Sequence, residues 1–288
     1  MPAFLTPAFD IDFYRATNPD LAHLNAEQAA EHYRQYGRTE GRVAAALAVR
    51  EVFVEMPRAA ASALEIGPFC SPVLTGPNVK YLDVLTPEGL RARAAEIGLD
   101  ATNCPERIDY LGDLGDVTDS FDAVFSSHAI EHQPDLVRHL NEVAAVLKPG
   151  GRYYLLVPDK RFCFDHFMAE STVAQVVDAH EVRRRVHSLM SVIENHAFAT
   201  HNNSEMHWMG DHGTPFGPDE AYRVTAGMDR HAAAAGDYID VHAWYFTPAS
   251  FAVIIETLFR LNLTKLRPAV VYETPRNRLE FSAVLEVA

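Results

Sequence analysis

Acidic residues follow three short apolar segments of the sequence, at positions suited to binding a nucleoside. Glu65 and Gly67 lie in "ALEIGP", Asp83 ends "YLD", and Asp113 lies in "GDL". In open α/β sheets ligands bind outside the carboxyl ends of the strands, so these residues would line one edge of a sheet. A carboxylate after the second strand could accept from both ribose hydroxyls, and Asp113 could accept from an adenine amino group. Capping of a turn is the alternative role for each acid taken alone.

The turn after the first strand contains a single glycine. Gly67 allows the chain to turn sharply and the backbone to approach a ligand closely. A dinucleotide-binding turn needs further glycines in the pattern GxGxxG, and here Phe69 and Pro72 occupy that region. We therefore expect a nucleoside ligand that has no pyrophosphate.

Short apolar runs alternate with helical patterns from about residue 61. The runs are 61–66, 79–84, 121–126 and 152–157, and the helical patterns 87–97 and 134–147 lie between them. In the second helical pattern the apolar residues recur on one face, and "KPGG" ends the helix. Apolar strands separated by helices indicate a parallel sheet that is covered on both faces.

Residues 160–243 interrupt this alternation. They hold nine of the 14 histidines, together with segments rich in Asn and Gly such as "THNNSEMHWMGDHGTPFG". We interpret them as an insertion over the carboxyl edge of the sheet. The regular pattern resumes with a helix that starts at Thr247 and Pro248 and runs to about 261, and two strand-like runs, 266–272 and 279–287, follow it.

The first 50 residues have a pattern of their own. Aromatic and aliphatic residues recur at roughly helical intervals, broken by "NP" and by Gly37, which predicts two or three short helices. The pattern "NPDL … HY … YG … EGR", over residues 9–45, resembles a small helical module that accompanies bacterial glycan-assembly enzymes such as glycosyltransferases. A helical cap packed on the main domain is a compatible alternative.

The strand motifs taken together resemble those of class I S-adenosylmethionine-dependent methyltransferases, of the type 11-like group. The likeness runs over residues 61–159 and 243–288, and its most specific parts are "ALEIGP", "YLDV", "GDL", "FDAVFSSHAIEHQPD" and "LKPGGRYYLLVPD". It implies an α/β, Rossmann-like fold with a seven-stranded sheet, a final antiparallel hairpin and bound S-adenosyl-L-methionine. The methyltransferase domain would span 51–288, with 160–243 as its insertion or lid. The cofactor contacts that the resemblance implies are Glu65, Gly67, Pro68, Asp83, Asp113, Leu114, Ser127 and His128.

The sequence departs from the family pattern in the first motif. Phe69 stands where the family has a second glycine, and only about ten residues separate this turn from the second strand, close to the minimum for a crossover that contains a helix. We expect the first helix to be shortened or replaced by a turn.

Histidines after the fourth strand are the best candidates for proton transfer. Methyl transfer to a hydroxyl or amine requires alignment and removal of a proton, and His128 and His132 lie one helical turn apart in "SSHAIEH". We predict that His132 is the base or a substrate contact, and that His128 and Ser127 line the methionine end of the cofactor. Asp159, after the fifth strand, is a further candidate for an active-site role. A polar residue satisfied by backbone at a helix start is the alternative for each histidine.

The histidines of the insertion offer a different chemistry. His201, His207, Asp211 and His212 combine imidazoles with a carboxylate, as divalent metal sites do. Their spacing matches no compact metal motif, so we assign no metal. We favour a substrate-covering lid that includes Trp208.

Charge and cysteine content limit the classes of partner. A formal net charge of -14 argues against a broad surface for nucleic acid or anionic membrane. Three widely spaced cysteines, Cys70, Cys104 and Cys163, suit reduced thiols in a cytoplasm. Neither a signal peptide nor a long apolar run is present, which predicts a cytoplasmic protein without membrane insertion.

The sequence therefore predicts methyl transfer from S-adenosyl-L-methionine to an oxygen or nitrogen of a small molecule or glycan. One alternative is a noncatalytic S-adenosyl-L-methionine-binding or scaffold protein of a glycan-assembly complex. Another is a metal-assisted enzyme that uses the histidine-rich insertion. Expected partners are the acceptor and, beyond it, glycan-assembly proteins or further copies of the chain, but not nucleic acid.

Overall fold

The computed structural model describes residues 9–215 and 217–288. Residues 1–8, at the start of the predicted N-terminal module, and Phe216, within the predicted insertion, lie outside the described residues.

Seven strands form one sheet in the order β3-β2-β1-β4-β5-β7-β6. They are β1 Ala63–Ile66, β2 Val79–Asp83, β3 Tyr110–Leu111, β4 Phe121–Ser127, β5 Leu147–Pro158, β6 Leu266–Val271 and β7 Glu280–Val287. β1 to β5 pair in parallel, whereas β7 is antiparallel to both β5 and β6. The predicted Rossmann-like sheet with a final antiparallel hairpin is confirmed, and the carboxyl ends of β1, β2 and β4 meet at one edge.

Helices cover the sheet, and further helices form the N-terminal region and the segment that follows β5. They are α1 Ile11–Thr17, α2 Ala26–His32, α3 Arg50–Phe53, α4 Glu55–Arg58, α5 Pro87–Glu96, α6 Leu136–Val146, α7 Val173–Glu181, α8 Leu189–Phe198, α9 Ser204–Trp208, α10 Glu220–Ala234 and α11 Pro248–Arg260. The apolar stripe predicted for 134–147 is the buried face of α6, where Leu136, Leu140 and Val143 are fully buried in the main core. The side chains of Thr86, Asp135 and Thr247 cap the crossover helices α5, α6 and α11, so the sequence marks each helix start.

No helix lies between β1 and β2, where every residue is described. The chain turns at Gly67 and returns directly to β2. The carboxylate of Glu65, which is 2% exposed, accepts hydrogen bonds from the amides of Val73 at 2.8 Å and Leu74 at 2.7 Å. This buried contact takes the place of the missing helix and confirms that the first helix is replaced by a turn.

Two cysteines form a disulfide, contrary to the expectation of three reduced thiols. Cys70, in the turn after β1, is bonded to Cys104, in the loop after α5, while Cys163 is free and buried. Both bonded cysteines pack with Leu90 and Ala94 of α5 in a small apolar cluster. A separation of 34 residues in sequence concealed this proximity, which arises because α5 covers the turn after β1.

The segment 160–243 is a helical insertion. Its α7 packs through Val176 and Ala179 into the main core beneath α6 and α11. Its α8 and α10 pack closely on each other, since a Cβ on Gly227 would come within 2.9 Å of the Ile193 backbone. The insertion is therefore anchored on the main core through α7, whereas α8 and α10 form a small helical unit.

The N-terminal residues have a small core of their own. Tyr14, Leu21, Ala29, Tyr33 and Ala44 form a separate buried cluster, which confirms short helices in this region. The Arg276 amide donates to the Gly41 carbonyl at 2.9 Å, and Arg38 lies 3.8 Å from Glu273, so this unit docks on the loop between β6 and β7. Within the described part of the chain, none of the helices is both long and apolar enough to traverse a bilayer.

Candidate active site

The turn after β1 presents exposed backbone to the carboxyl edge of the sheet. Gly67 has φ +67°, and its amide donates to the Leu82 carbonyl at 2.9 Å. A Cβ at this position would meet the Ala129 side chain at 3.7 Å, in the loop after β4. Pro68 is buried behind the turn and Phe69 has φ +45°. The cofactor turn and the loop after β4 are thus adjacent, and Gly67 faces open space between them.

Asp83 ends β2 beside this turn. Its Oδ1 accepts from the Leu85 amide at 3.1 Å, and the side chain is 9% exposed. Burial raises the pKa of Asp83, and the backbone amides of Leu85 and Phe69 partly offset that effect. The carboxylate is held by backbone groups, at the strand end expected for the contact with the ribose.

Asp113 and Leu114 follow β3. Asp113 Oδ1 accepts from the Gly115 amide at 3.3 Å and Oδ2 accepts from Arg138 Nη1 at 2.9 Å. Leu114 is buried and contributes to a cavity of about 550 Å³ along α6. Among the predicted cofactor contacts Leu114 lines this cavity, whereas Gly67, Asp83 and His128 do not.

Ser127 and His128 end β4 in a polar network. His128 has φ +52°, and its Nε2 lies 2.6 Å from an oxygen of Glu280, at the start of β7. Arg50 donates to both oxygens of Glu280 at 2.7 and 2.8 Å and lies 3.5 Å from Ser127 Oγ. Glu280 therefore orients the His128 ring.

The histidines after β4 surround a buried carboxylate. Glu131 is fully buried, and its Oε1 lies 4.0 Å from His128 Nδ1, 3.9 Å from His132 Nε2 and 3.8 Å from His242 Nε2. Neither Glu131 side-chain oxygen has a hydrogen-bond partner within 9–215 and 217–288. We call His128, Glu131, His132 and His242 the histidine–carboxylate centre.

Each imidazole of the centre also lies close to a second carboxylate, on the side of the ring whose nitrogen faces away from Glu131. His128 contacts Glu280 as described, His132 Nδ1 lies 3.2 Å from Asp240 Oδ1, and His242 Nδ1 lies 2.6 Å from Asp165 Oδ2. Burial lowers the pKa of His132, but contact with Asp240 and the charge of Glu131 outweigh burial, so its pKa is raised. The same balance, with Glu280 as the contact, raises the pKa of His128.

Asp159 lies apart from these contacts, in a buried structural network. It is 0% exposed and accepts from the Arg161 amide at 3.0 Å, from Arg161 Nη2 at 2.6 Å and from the Thr274 hydroxyl at 2.6 Å. Its own amide donates to the Leu279 carbonyl at 2.7 Å. The side chain joins the end of β5 to the loop before β7.

The insertion brings a second set of histidines together. His166, His207 and His212 offer ring nitrogens within 4.8 Å of one another. His166 stacks on His212 with ring centroids 3.6 Å apart, His207 Nδ1 lies 3.0 Å from His212 Nδ1, and His201 packs against His207. Asp211 lies 3.9 Å from His201. The histidines considered from the sequence lie close together, with His166 as an additional member, and we call His166, His201, His207 and His212 the insertion cluster.

Trp208, predicted to lie in a substrate-covering lid, packs against other residues of the chain. Its ring stacks on Phe162 with centroids 3.9 Å apart, and its Nε1 donates to the Arg278 carbonyl at 3.0 Å.

Four residues of the site were given no role from the sequence: Glu131, Asp240, His242 and Glu280. Asp240 and His242 alternate in "DYIDVHAWYF" just before the regular pattern resumes, where a strand-like alternation of polar residues was a usable signal. The carbonyl of Glu131 accepts from the Ala243 amide at 2.7 Å, which holds this segment against the loop after β4. No local pattern in the sequence indicated Glu280, because it lies near the site only when β7 pairs antiparallel to β5.

Comparison with known proteins identifies the central part of the chain. Residues 88–155, from α5 into β5, match a family model described as a methyltransferase domain. No curated protein matches the chain significantly.

Solved structures with the same kind of domain are similar at low identity. The mitomycin 7-O-methyltransferase MmcR is 14% identical, with 95% of this chain and 62% of that chain covered and a TM-score of 0.38. The CcbJ methyltransferase from Streptomyces caelestis is 13% identical, with 88% and 95% covered and a TM-score of 0.41. An S-adenosylmethionine-dependent methyltransferase from Mesorhizobium loti is 23% identical, with 39% and 55% covered and a TM-score of 0.28. These similarities do not bear on the acceptor.

The family match and the strand order agree with the prediction from the sequence. They confirm a class I methyltransferase fold and an enzyme of the methyltransferase kind.

Proposed function

We propose that this chain transfers a methyl group from S-adenosyl-L-methionine to an oxygen or nitrogen of a small molecule or glycan. The observation that carries this proposal is the contact between the Gly67 turn and Ala129, because Ala129 lies in the loop after β4 that bears three members of the histidine–carboxylate centre. Proton-accepting groups thus lie next to the edge at which class I sheets bind their cofactor.

The residues at this edge fit the cofactor. When bound, S-adenosyl-L-methionine supplies a methyl group on a sulfonium, which is already a strong leaving group. Gly67 offers backbone without a side chain, and Asp83 offers a carboxylate fixed by backbone amides at the ribose position. Glu65, Pro68 and the disulfide hold the turn from behind. We assign Ser127 and His128 to the methionine end, and Asp113 with Leu114 to the adenine end.

The acceptor side is assigned to the histidine–carboxylate centre. His128 and His132 are 35% and 25% exposed, whereas Glu131 and His242 are buried. Because His128 is assigned to the methionine end, we assign His132 as the member through which an acceptor would reach the centre. An imidazole held by an outer carboxylate is oriented to take a proton, which typically contributes on the order of 10²–10⁴-fold to a rate. Asp159 is assigned a positioning role, because Arg161 and Thr274 occupy its carboxylate.

The choice of a glycan acceptor rests on the N-terminal module, and so does a role beside glycan-assembly proteins. A cytoplasmic location remains part of this proposal.

Replacing Asp83 by alanine is expected to weaken the binding of S-adenosyl-L-methionine by about 10- to 100-fold, since hydrogen bonds to a charged group contribute about 1.5–3 kcal/mol. Calorimetry on the purified chain measures this directly. Asp229→Ala is the matched control, because Asp229 is exposed on α10, far along the chain from the predicted site, and loses the same charge. Equal affinity in the two variants would remove Asp83 from the cofactor site.

Turnover is expected when the wild-type chain meets a suitable acceptor. The measurement is formation of S-adenosylhomocysteine, by mass spectrometry, with panels of free sugars, glycans, phenols and amines. His132→Gln and His128→Gln should each slow product formation by about 10²-fold or more while cofactor affinity in His132→Gln stays near that of wild type. Tight cofactor binding with no product from any panel would favour the noncatalytic scaffold instead.

A further inference from the structure

Glu131 is a buried carboxyl group without a direct hydrogen bond to its neighbours. It is 0% exposed, both oxygens lack hydrogen-bond partners among the described residues, and the surrounding ring nitrogens remain 3.8–4.0 Å from its Oε1. Burial of an isolated charge is costly unless the charge is paired or coordinates a metal. The carboxyl group is therefore placed as a ligand of a cation would be.

Protonated imidazoles would be expected to close on the carboxylate. Charge-assisted N–H to carboxylate bonds are short, about 2.7–2.9 Å, as His242 shows toward Asp165 at 2.6 Å. The nitrogens that face Glu131 instead stay about 1 Å farther away than such bonds allow. A gap of 3.8–4.0 Å therefore separates the Glu131 oxygen from the inner nitrogens.

That space has the dimensions of a metal site. Ligand atoms of Glu131, His132 and His242 lie within 4.8 Å of one another. Two ligands bound at about 2.0–2.2 Å to a tetrahedral ion are themselves separated by about 3.3–3.6 Å. The distances from Glu131 Oε1 to the nitrogens of His132 and His242 are 3.9 and 3.8 Å, so these pairs need inward shifts of only a few tenths of an ångström.

Two further carboxylates, which are not themselves ligands, add to the likeness to a metal site. Asp240 contacts the outer nitrogen of His132 and Asp165 that of His242. Metal-binding histidines usually donate their second N–H to a carboxylate or carbonyl, which fixes the ring and increases its basicity. The insertion cluster lacks this arrangement, because its imidazoles stack and contact one another around no buried carboxylate.

We propose that Glu131, His132 and His242 form a binding site for a divalent transition-metal cation. Two imidazoles and one carboxylate suit Zn²⁺, Fe²⁺ or Co²⁺ rather than Mg²⁺ or Ca²⁺, which prefer oxygen ligands. The protein supplies three ligands, so coordination positions are left for a further group. His132 is the most exposed ligand, and the open positions are assigned to its side of the site.

The site would act in the proposed methyl transfer by binding the acceptor. With a cation bound, His132 would act as its ligand and not as the base, and the cation would orient an acceptor hydroxyl and lower its pKa. Only this role rests on the proposed function, since metal binding is measured without turnover. If no metal binds, the proposal of methyl transfer is unaffected. If no turnover is found, the proposal of the metal site is unaffected.

The test is titration of the chelator-treated full chain with Co²⁺, followed by visible absorbance and by calorimetry, with Zn²⁺ as competitor. We expect one Co²⁺ per chain that Zn²⁺ displaces. His132→Gln and Glu131→Gln should abolish this binding, and Asp240→Asn should weaken it by about 10- to 100-fold. His166→Gln, in the insertion cluster, is the matched control and should bind as wild type does.

Circular dichroism verifies the fold of each variant, and the partly exposed His132 and Asp240 provide variants that do not disturb the core. No Co²⁺ binding by the wild type would overturn the proposal. So would binding that persists in folded His132→Gln, or binding that is lost in His166→Gln alone.

Discussion

Asp159→Ala is expected to lower the free energy of unfolding by about 3 kcal/mol. Removing one partner of a buried ion pair costs about 3–5 kcal/mol, because the other charge loses its compensation. The lower end of this range applies here, since the Arg161 side chain is 42% exposed and can be solvated when Asp159 is removed. The Thr274 hydroxyl, however, would lose its acceptor inside the protein. Urea denaturation of the wild type and the variant measures the difference.

Two further variants make this result specific. Asp229→Ala removes an exposed carboxylate and should change the free energy of unfolding by no more than about 0.5 kcal/mol. Asp159→Asn retains an acceptor for Thr274 and should lie between the alanine variant and wild type. A stable Asp159→Ala protein that binds the cofactor but has lost turnover would instead support contact between Asp159 and the reacting atoms.

The sequence predicted the edge of the sheet well, because local patterns determine it. Short apolar runs placed the ends of β1, β2 and β4, and the carboxyl ends of neighbouring parallel strands necessarily coincide. The missing glycine and the short distance from Gly67 to β2 also predicted that the first helix would be shortened or replaced by a turn. These features depend only on residues close together in the chain.

The parts of the site that the sequence did not reveal depend on the path of the chain. His128 and Glu280 are separated by 152 residues, and Asp165 and His242 by 77. Their meeting requires both the antiparallel return of β7 and the folding of the insertion. The Cys70–Cys104 bond escaped prediction for the same reason, because only packing of α5 against the turn brings the two residues together.

Glu65→Ala is expected to destabilise the protein by about 2–5 kcal/mol. The amides of Val73 and Leu74 would lose their acceptor, and each unsatisfied buried donor costs about 1–3 kcal/mol. Glu65→Gln retains a carbonyl oxygen at the same place and should recover part of this loss. A Glu65→Ala protein as stable as the wild type in urea denaturation would show that the turn is held by other contacts.

The pH dependence of stability distinguishes the charge of Glu65 from its hydrogen bonds. Burial raises its pKa to about 7 from 4.5, and the amides of Val73 and Leu74 act in the opposite direction. The folded protein therefore holds this proton more tightly than the unfolded chain does. The resulting stabilisation is complete below about pH 4.5 and is lost as the pH rises through about 7.

Glu65→Gln cannot titrate at this position, so other groups cancel in the difference between the two proteins. From pH 4.5 to 7.5 the stability of the wild type relative to Glu65→Gln should fall, by at most about 1.4 kcal/mol per pH unit. Urea denaturation at intervals across this range measures the slope. A relative stability that instead rises with pH would mean that the two amides overcome burial, so that the turn holds Glu65 as a carboxylate.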